Sequence, residues 1–133
     1  MLIALTRAQR RLRGRDARLE GGVSFAHFPL LGALARAGEL SAGQLATEAT
    51  LTPATVTQMI DTLSAAGLVQ RNRSERDRRM VTIRLTDEGR RRQARKEAEL
   101  LEKYREALVE FDTDDLEAAT RVMSRLVAYY DDL

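Results

Sequence analysis

Guanidinium groups are concentrated in one short stretch of the chain, which reads RNRSERDRR from residue 71 to residue 79. The five arginines of this stretch are Arg71, Arg73, Arg76, Arg78 and Arg79. A guanidinium is planar, permanently charged and weakly hydrated, so it suits phosphate oxygens and the negative potential of a narrow minor groove. The alternative is a solvated run of charge on a loop. Asp77 would be repelled by phosphate unless it were paired, so we expect it either to align Arg73, Arg78 or Arg79 or to be an ordinary turn residue.

Short neutral side chains precede the arginines and form a second candidate set. Its members are Thr52, Ala54, Thr55, Thr57 and Gln58. Threonine and glutamine both donate and accept hydrogen bonds, and glutamine can read adenine through a bidentate contact. Gln58 is therefore the main candidate for reading a base edge. Thr52 and Ala54 have a simpler explanation, because Thr52 can cap a helix and Ala54 can permit close approach to a DNA backbone.

Other reactive groups are few. Cysteine is absent and histidine occurs once, which excludes disulfides and thiol redox chemistry and argues against a metal site, and we expect no cofactor. His27 could titrate near neutral pH as a sensor, but a lone histidine on a helix is more often packed or capping. Asp114 and Asp115 resemble a carboxylate pair, yet placement at a helix start explains them without catalysis. No pairing of a nucleophile with a base is legible, so we expect no enzyme.

The composition is typical of a folded, helix-rich protein with one domain. The chain has 133 residues, of which 44% are hydrophobic, 32% charged and 5% aromatic. No apolar run reaches the roughly 20 residues of a membrane span, and the first residues lack the apolar region and cleavage site of a signal peptide. We therefore expect a cytoplasmic protein with no membrane contact. The short N-terminal segment leaves the natural start of the chain open.

Charge is separated along the chain, although the formal net charge is only +2. Residues 1–68 carry 7 basic and 5 acidic side chains, residues 69–96 carry 11 and 4, and residues 97–133 carry 4 and 11. A basic middle beside an acidic end predicts one face that attracts a polyanion and another that is repelled by it.

Helix signals fill the first half of the chain. An amphipathic pattern covers residues 2–20 and ends at Gly21-Gly22, and Ser24 can cap a second helix that contains Pro29. Ser41 and Gln44 match a capping box for a short third helix through Ala49. A fourth helix follows, with Thr52 as its cap, Pro53 in its first position and Gly67 as its C-terminal stop. Its expected buried stripe consists of Val56, Met59, Ile60 and Leu63.

Strand signals follow the fourth helix. Residues 68–72 and 80–85 are predicted to pair as strands, because Val81, Ile83 and Leu85 alternate with Thr82 and Arg84. Residues 73–79 then form the turn between them.

Two further helices complete the chain. Thr86 can cap a long fifth helix, and Thr113 with Asp114 and Asp115 can start a last one. Their apolar seams are Ala94, Ala98, Leu101 and Leu108 in the fifth helix, and Leu116, Ala119, Met123, Leu126 and Tyr130 in the last. These seams either pack within one chain or form a dimer interface, and the pattern alone favours neither.

The order of these elements, with GLVQRNRSERDRRMVTIRLTDEGR, resembles the multiple antibiotic resistance regulator (MarR) family of bacterial transcription factors. The most specific element is Asp77-Arg78-Arg79 before the strand VTIRLT, and GELSAGQLATEATLTPATVTQMIDTLSAAGLVQR supports it. The resemblance covers essentially the whole chain. It implies a mainly α fold with a small β-hairpin wing, in which residues 24–86 form the winged helix-turn-helix and residues 1–22 and 87–133 the dimerisation helices.

The resemblance also implies a function. The fourth helix would lie in the major groove of each half-site, Arg79 would enter the minor groove, and Asp77 would orient the wing arginines. The protein would be a homodimeric repressor of palindromic promoter sites on double-stranded DNA, relieved by a small phenolic or anionic effector. Many family members carry arginine near the position of Gln58, so their guanine preference does not carry over here. A competing hypothesis is a winged-helix module that binds an acidic protein partner instead of DNA.

Overall fold

The computed structural model describes residues 2–15, 23–74 and 76–133. The chain divides into two compact units, Met1–Arg95 and Lys96–Leu133. Its helices are α1 (Leu2–Arg15), α2 (Phe28–Ala37), α3 (Ala42–Glu48), α4 (Pro53–Ala65), α5 (Asp87–Ala107) and α6 (Thr113–Asp131). Its strands are β1 (Glu39–Leu40), β2 (Val69–Arg73) and β3 (Val81–Leu85). Among the described residues, no helix is long and apolar enough to cross a membrane.

The predicted first helix is confirmed over Leu2–Arg15, and its predicted end at Gly21-Gly22 lies outside the described residues. The second helix starts later than Ser24. A single 3₁₀ turn, Phe25–His27, comes first, and α2 begins at Phe28 with Pro29 in its first turn. The reason is local, because proline has no amide proton to lose in a first helical turn, whereas further inside it would remove a hydrogen bond.

His27 serves this helix start. Its Nδ1 accepts the backbone N–H of Ser24 at 3.0 Å and lies 3.1 Å from the Ser24 hydroxyl. Partial burial lowers the pKa of His27, and the neutral ring is the form that can accept that bond. The capping explanation of this histidine therefore has direct support in the structure.

The two helices α3 and α4 begin and end as local chemistry predicts. Ser41 and Gln44 form the reciprocal capping box, with bonds of 2.9 and 3.2 Å. The turn between α3 and α4 places Thr50 at φ 53°, a left-handed conformation that is uncommon for a β-branched residue. At the end of α4, Gly67 has φ 73°, and the amide of Leu68 returns to the carbonyl of Leu63 at 2.9 Å. A left-handed glycine followed by this returning hydrogen bond is the Schellman motif that ends a helix.

The sheet has three antiparallel strands in the order β1-β3-β2, so the predicted hairpin is present but a third strand was missed. Both hairpin strands begin one residue later than predicted. The expected alternation on β3 is also wrong at two positions, since Val81 is exposed and Thr82 is buried. Thr82 is buried because β1 pairs with this strand, and its hydroxyl donates to Oε2 of Glu39 at 3.2 Å.

The hydrophobic core of the first unit forms where α2, α3 and α4 pack with the sheet. Its most completely buried large side chains are Leu30, Leu31, Leu34, Leu45, Val56, Leu63, Leu68 and Ile83. The predicted stripe of α4 is confirmed, with Val56, Ile60 and Leu63 buried and Met59 packed against them. The core therefore fixes one face of α4 and leaves its opposite face in solvent.

In the second unit, α6 begins with a cap that the sequence reasoning did not identify, because Asp112 and Asp115 each accept the other's backbone N–H. The predicted seam of α6 is largely exposed in the single chain, with Tyr130 62% accessible. An open groove of about 620 Å³ lies along α6, lined mainly by Leu108, Leu116, Met123 and Val127. These apolar side chains are left uncovered within the second unit.

Candidate nucleic-acid interface

The exposed face of α4 carries the predicted base-reading residues. Thr57 and Gln58 are both exposed, whereas Thr55 is partly buried. The hydroxyl of Thr57 donates to the carbonyl of Pro53 at 3.0 Å, which leaves its lone pairs available as acceptors. Within the described ranges, the Gln58 side chain makes no hydrogen bond, so both its donor and its acceptor groups are free. Gln58 therefore retains the full pairing capacity that bidentate contact with adenine needs.

Two of the predicted residues are engaged at the start of the helix. The hydroxyl of Thr52 accepts the backbone N–H of Thr55 at 3.2 Å and lies 2.8 Å from the Thr55 hydroxyl. Thr52 is thus the N-cap of α4, as its simpler explanation required. Ala54 is exposed in the first turn, where a methyl group leaves room for a close neighbour.

The turn between β2 and β3, residues 74–80, is closed by its own polar groups, and we call it the wing. The amide of Ser74 donates to the carbonyl of Met80 at 2.8 Å, and the amide of Met80 donates to the carbonyl of Asp77 at 2.9 Å. The Oδ1 of Asp77 accepts the backbone N–H of Arg79 at 3.0 Å. The buried hydroxyl of Ser74 accepts the N–H of Arg76 at 3.2 Å.

Asp77 therefore acts on the wing backbone. Among the described residues, its carboxylate forms no ion pair with a guanidinium, so the expected pairing with Arg73, Arg78 or Arg79 is absent. Its bond to the Arg79 amide still fixes where the Arg79 side chain leaves the turn. The predicted aligning role of Asp77 stays a prediction, and this main-chain contact is what supports it.

The cations at the tip of the hairpin lack acidic partners. Arg73, Arg76, Arg78 and Arg79 are exposed, and in the ranges that the structure describes none of them forms an ion pair. The remaining arginine of this stretch, Arg71, differs because it pairs with Asp61 of α4. The four unpaired guanidinium groups are the part of this stretch with charge available to a polyanion.

The arginines at the start of α5 are compensated locally. Arg90 pairs with Asp87 at 3.2 Å, and Arg91 and Arg92 pair with Glu88 at 2.9 and 3.2 Å. Hydrogen bonds from Arg91 and Arg92 lower the pKa of Glu88. These three arginines share two carboxylates, so the ion pairs offset most of their charge, whereas the arginines at the hairpin tip have no such pairs among the described residues.

Two contributors to this surface escaped the sequence reasoning. Ser74 is buried at the base of the wing, and its only signal was a serine beside a turn. Asp61 carried no functional signal in the sequence, and its partner Arg71 lies ten residues further along the chain. The helix-turn-strand geometry brings Asp61 and Arg71 together, and no local sequence pattern predicts this contact.

A capped helix with a polar outer face, followed by a hairpin with an arginine-rich tip, defines a winged helix-turn-helix. The comparisons agree with this fold class. Residues 21–80 match the MarR family. The uncharacterized HTH-type transcriptional regulator YdgJ of Bacillus subtilis is 30% identical over 105 residues, which cover 79% of this chain and 64% of YdgJ. The chain therefore spans less than two thirds of that relative.

Solved structures extend the similarity to nearly the whole chain. A MarR family protein from Bacillus stearothermophilus superposes with a TM-score of 0.80 at 25% identity, covering 98% of this chain and 91% of that one. Streptococcus pneumoniae FabT, solved in complex with DNA, superposes with a TM-score of 0.79 at 20% identity, covering 98% and 94%, and shows the fold alone. The chain is thus similar to the MarR family of winged helix-turn-helix proteins, by sequence over residues 21–80 and by fold over nearly its whole length. That family consists of transcriptional regulators.

Proposed function

We propose that this protein is a sequence-specific DNA-binding transcriptional regulator, acting in the cytoplasm as a homodimeric repressor of palindromic promoter sites. In this proposal α4 enters the major groove, where Gln58 reads a base edge with Thr55 and Thr57 beside it. Arg79 enters the adjacent minor groove, and Arg73 and Arg78 contact phosphates. Binding over a promoter would block access to it.

The observation that carries the proposal is the contrast between charge on the wing and neutrality on the helix. Four exposed arginines of the hairpin, Arg73, Arg76, Arg78 and Arg79, lack acidic partners among the described residues, while the α4 face offers the unengaged amide of Gln58 and the acceptor lone pairs of the Thr57 hydroxyl. Phosphate contacts supply affinity without sequence information, and neutral donors and acceptors supply readout. FabT, which shares the fold, was solved with DNA bound.

The dimer is proposed from the apolar surface of the terminal helices. Leu116, Met123 and Tyr130 are exposed along α6 beside the groove that Leu108 and Val127 also line. A second copy would cover this surface, and two α4 helices would then reach successive major grooves about one helical turn apart. Removal of residues 113–133 should yield monomers or aggregates in sedimentation, and a well-behaved dimer after that truncation would contradict α6 as the interface.

A small phenolic or anionic effector would relieve repression in this proposal. Such a molecule must bind better to a dimer whose two winged regions are wrongly spaced for DNA, because only a difference in affinity shifts the equilibrium between the two forms. Thermal stability and operator affinity, measured together with candidate ligands, would identify one that raises the former and lowers the latter.

The proposal is tested by duplex binding across a salt series with random DNA as competitor. Arg79→Ala should weaken binding and reduce the slope of log affinity against log salt by about 1. Arg105→Ala is the matched control, because it removes the same charge from α5, where Arg105 already pairs with Glu102. An Arg79→Ala variant that binds as the control does would overturn the wing assignment.

Sequence selectivity is tested separately. Gln58→Ala should change the preference at one base position by about 1–3 kcal/mol and leave random-duplex affinity nearly constant. Weak binding of the unsubstituted protein, indifferent to sequence, would instead favour the competing hypothesis of a winged-helix module that binds an acidic protein.

A further inference from the structure

The ion pair between Arg71 and Asp61 joins the two elements of the proposed interface. Asp61 lies on α4 three residues after Gln58, and residues at this spacing are neighbours on one helix face. Arg71 lies on β2, opposite Ile83 in the sheet. Its guanidinium NH2 group contacts Oδ1 of Asp61, so the pair spans from the strand to the exposed side of the helix.

The pair stays accessible to solvent, since the side chains of Arg71 and Asp61 are 45% and 62% exposed. Exposed ion pairs contribute only about 0–1 kcal/mol to the free energy of folding, so this pair adds little to the stability of the protein. The pair matters more when a polyanion such as DNA is nearby. An uncompensated carboxylate beside the base-reading side chains would repel every phosphate that approaches α4, whereas a paired carboxylate presents little net charge.

We propose that Arg71 is a positioning residue that neutralises Asp61 and holds it beside Gln58, and that Arg71 is not one of the phosphate contacts. The inference rests on the proposed DNA-binding function. It changes the assignment of Arg71 made from sequence, where Arg71 was one of the candidate DNA-binding arginines. The phosphate-contacting charge then belongs to the arginines beyond it, beginning with Arg73.

Strand geometry separates Arg71 from Arg73. Side chains two residues apart share one face of a strand, so both project from the same side of β2 as the buried Val69. Along the chain Arg71 is the nearer of the two to the end of α4, and its guanidinium contacts the carboxylate of Asp61 on that helix. Arg73 is one step closer to the wing and, within the described residues, finds no carboxylate. Two successive positions on the same face of β2 thus hold Arg71, which is paired with a carboxylate, and Arg73, which has no acidic partner among the described residues.

The test is the salt dependence of duplex binding by Arg71→Ala, Asp61→Asn and the double variant. Counterion release makes the slope of log affinity against log salt a count of phosphate contacts, about 0.9 for each. Arg71→Ala should weaken binding roughly tenfold at low salt because it exposes the Asp61 charge, and its slope should become shallower because added salt screens this repulsion. Asp61→Asn should steepen the slope by up to about 0.9, because it releases Arg71.

The double variant should recover most of the affinity that Arg71→Ala loses, and its slope should again be that of the unsubstituted protein. Arg79→Ala serves as the reference for a true phosphate contact. Circular dichroism and thermal unfolding of each variant check folding, which an exposed pair should affect little. A double variant whose affinity stays low and whose slope stays about 0.9 shallower would overturn the inference, since it would make Arg71 a direct contact.

The two failures are distinguishable. If the folded, unsubstituted protein shows no salt-dependent duplex binding, the proposed function fails and this inference fails with it. If binding occurs and Arg79→Ala lowers the slope while the double variant at Arg71 and Asp61 lowers it equally, only the positioning role of Arg71 is refuted.

Discussion

Gly89→Ala is expected to destabilise the first unit, although alanine is the better helix former. Gly89 is the third residue of α5 and is buried against the end of the α4 turn. A Cβ at this position would lie 2.0 Å from the carbonyl oxygen of Leu68 and 2.9 Å from its carbonyl carbon. Both neighbours are backbone atoms, so no side chain can rotate away to make room.

The junction has little freedom to adjust. The carbonyl of Leu68 accepts the amide of Thr86 at 3.0 Å, and the hydroxyl of Thr86 donates to the carbonyl of Gly67 at 2.6 Å. The same hydroxyl accepts the amide of Gly89 at 3.0 Å, which caps α5 as the sequence predicted. Displacing α5 by the width of a methyl group would therefore strain several hydrogen bonds at once.

Overpacking of this kind costs about 3 kcal/mol, and the helix preference of alanine over glycine offsets about 1 kcal/mol. We expect a net loss of roughly 2 kcal/mol, which corresponds to a decrease in Tm of about 6–10 °C for a chain of this length. Chemical and thermal unfolding at one fixed protein concentration would measure it, because self-association also contributes to apparent stability.

Gly43→Ala is the matched control. Gly43 lies in the exposed first turn of α3, and a Cβ there would come no closer than 4.0 Å to the Ser41 hydroxyl oxygen. This variant should keep or raise stability, by at most about 1 kcal/mol. If Gly89→Ala proves as stable as Gly43→Ala, the close approach of α5 to Leu68 is not a constraint and the reasoning from the junction is wrong.

Three further changes test local parts of the fold. Thr52→Ala should lower the free energy of unfolding by about 1 kcal/mol through loss of the α4 cap, and Thr52→Ser should restore it; equal stability of both in denaturant titrations would contradict the capping role. Glu39→Ala should cost roughly 1–2 kcal/mol, because the buried Thr82 hydroxyl loses an acceptor, with Glu39→Gln intermediate. The lowered pKa of His27 makes its stability contribution complete above its ordinary pKa of 6.5 and progressively lost below it, so unfolding free energies at pH 7.5 and 5 should differ less in His27→Gln.

The starts of α3 and α4 could be predicted because their signals lie within a few residues of each other. Ser41 with Gln44 and Thr52 with Pro53 specify helix starts through bonds that span three residues. Strand β1 could not be predicted in the same way. It is only two residues long, and Glu39 and Leu40 become a strand because β3 lies beside them. Non-local pairing of this kind leaves almost no pattern in so short a segment.

The candidate site was likewise predictable where its signals are local and unpredictable where they depend on residues far apart in the sequence. The arginine-rich wing and the neutral face of α4 were visible as composition, and the structure places both on one winged unit. The state of each arginine was not visible, since Arg71 and Arg73 differ only in whether a carboxylate from another element is within reach. The apolar seams show a related limit, because periodicity identifies a face and does not identify what covers it.

Affinity and selectivity are consequently assigned to different elements of one unit. The wing carries arginines without acidic partners among the described residues, and its contacts would strengthen binding to any duplex and weaken with added salt. The α4 face carries free neutral groups, and the carboxylate of Asp61 beside them pairs with Arg71. This division requires that substitutions at Arg79 and Gln58 act on different observables, the salt slope and the base preference. Because the two side chains contact separate grooves in the proposal, their effects on operator affinity should be additive in a double variant, to within about 0.5 kcal/mol. Strong coupling between them would mean that the wing sets the position of α4 in the groove, and affinity could not then be altered without altering selectivity.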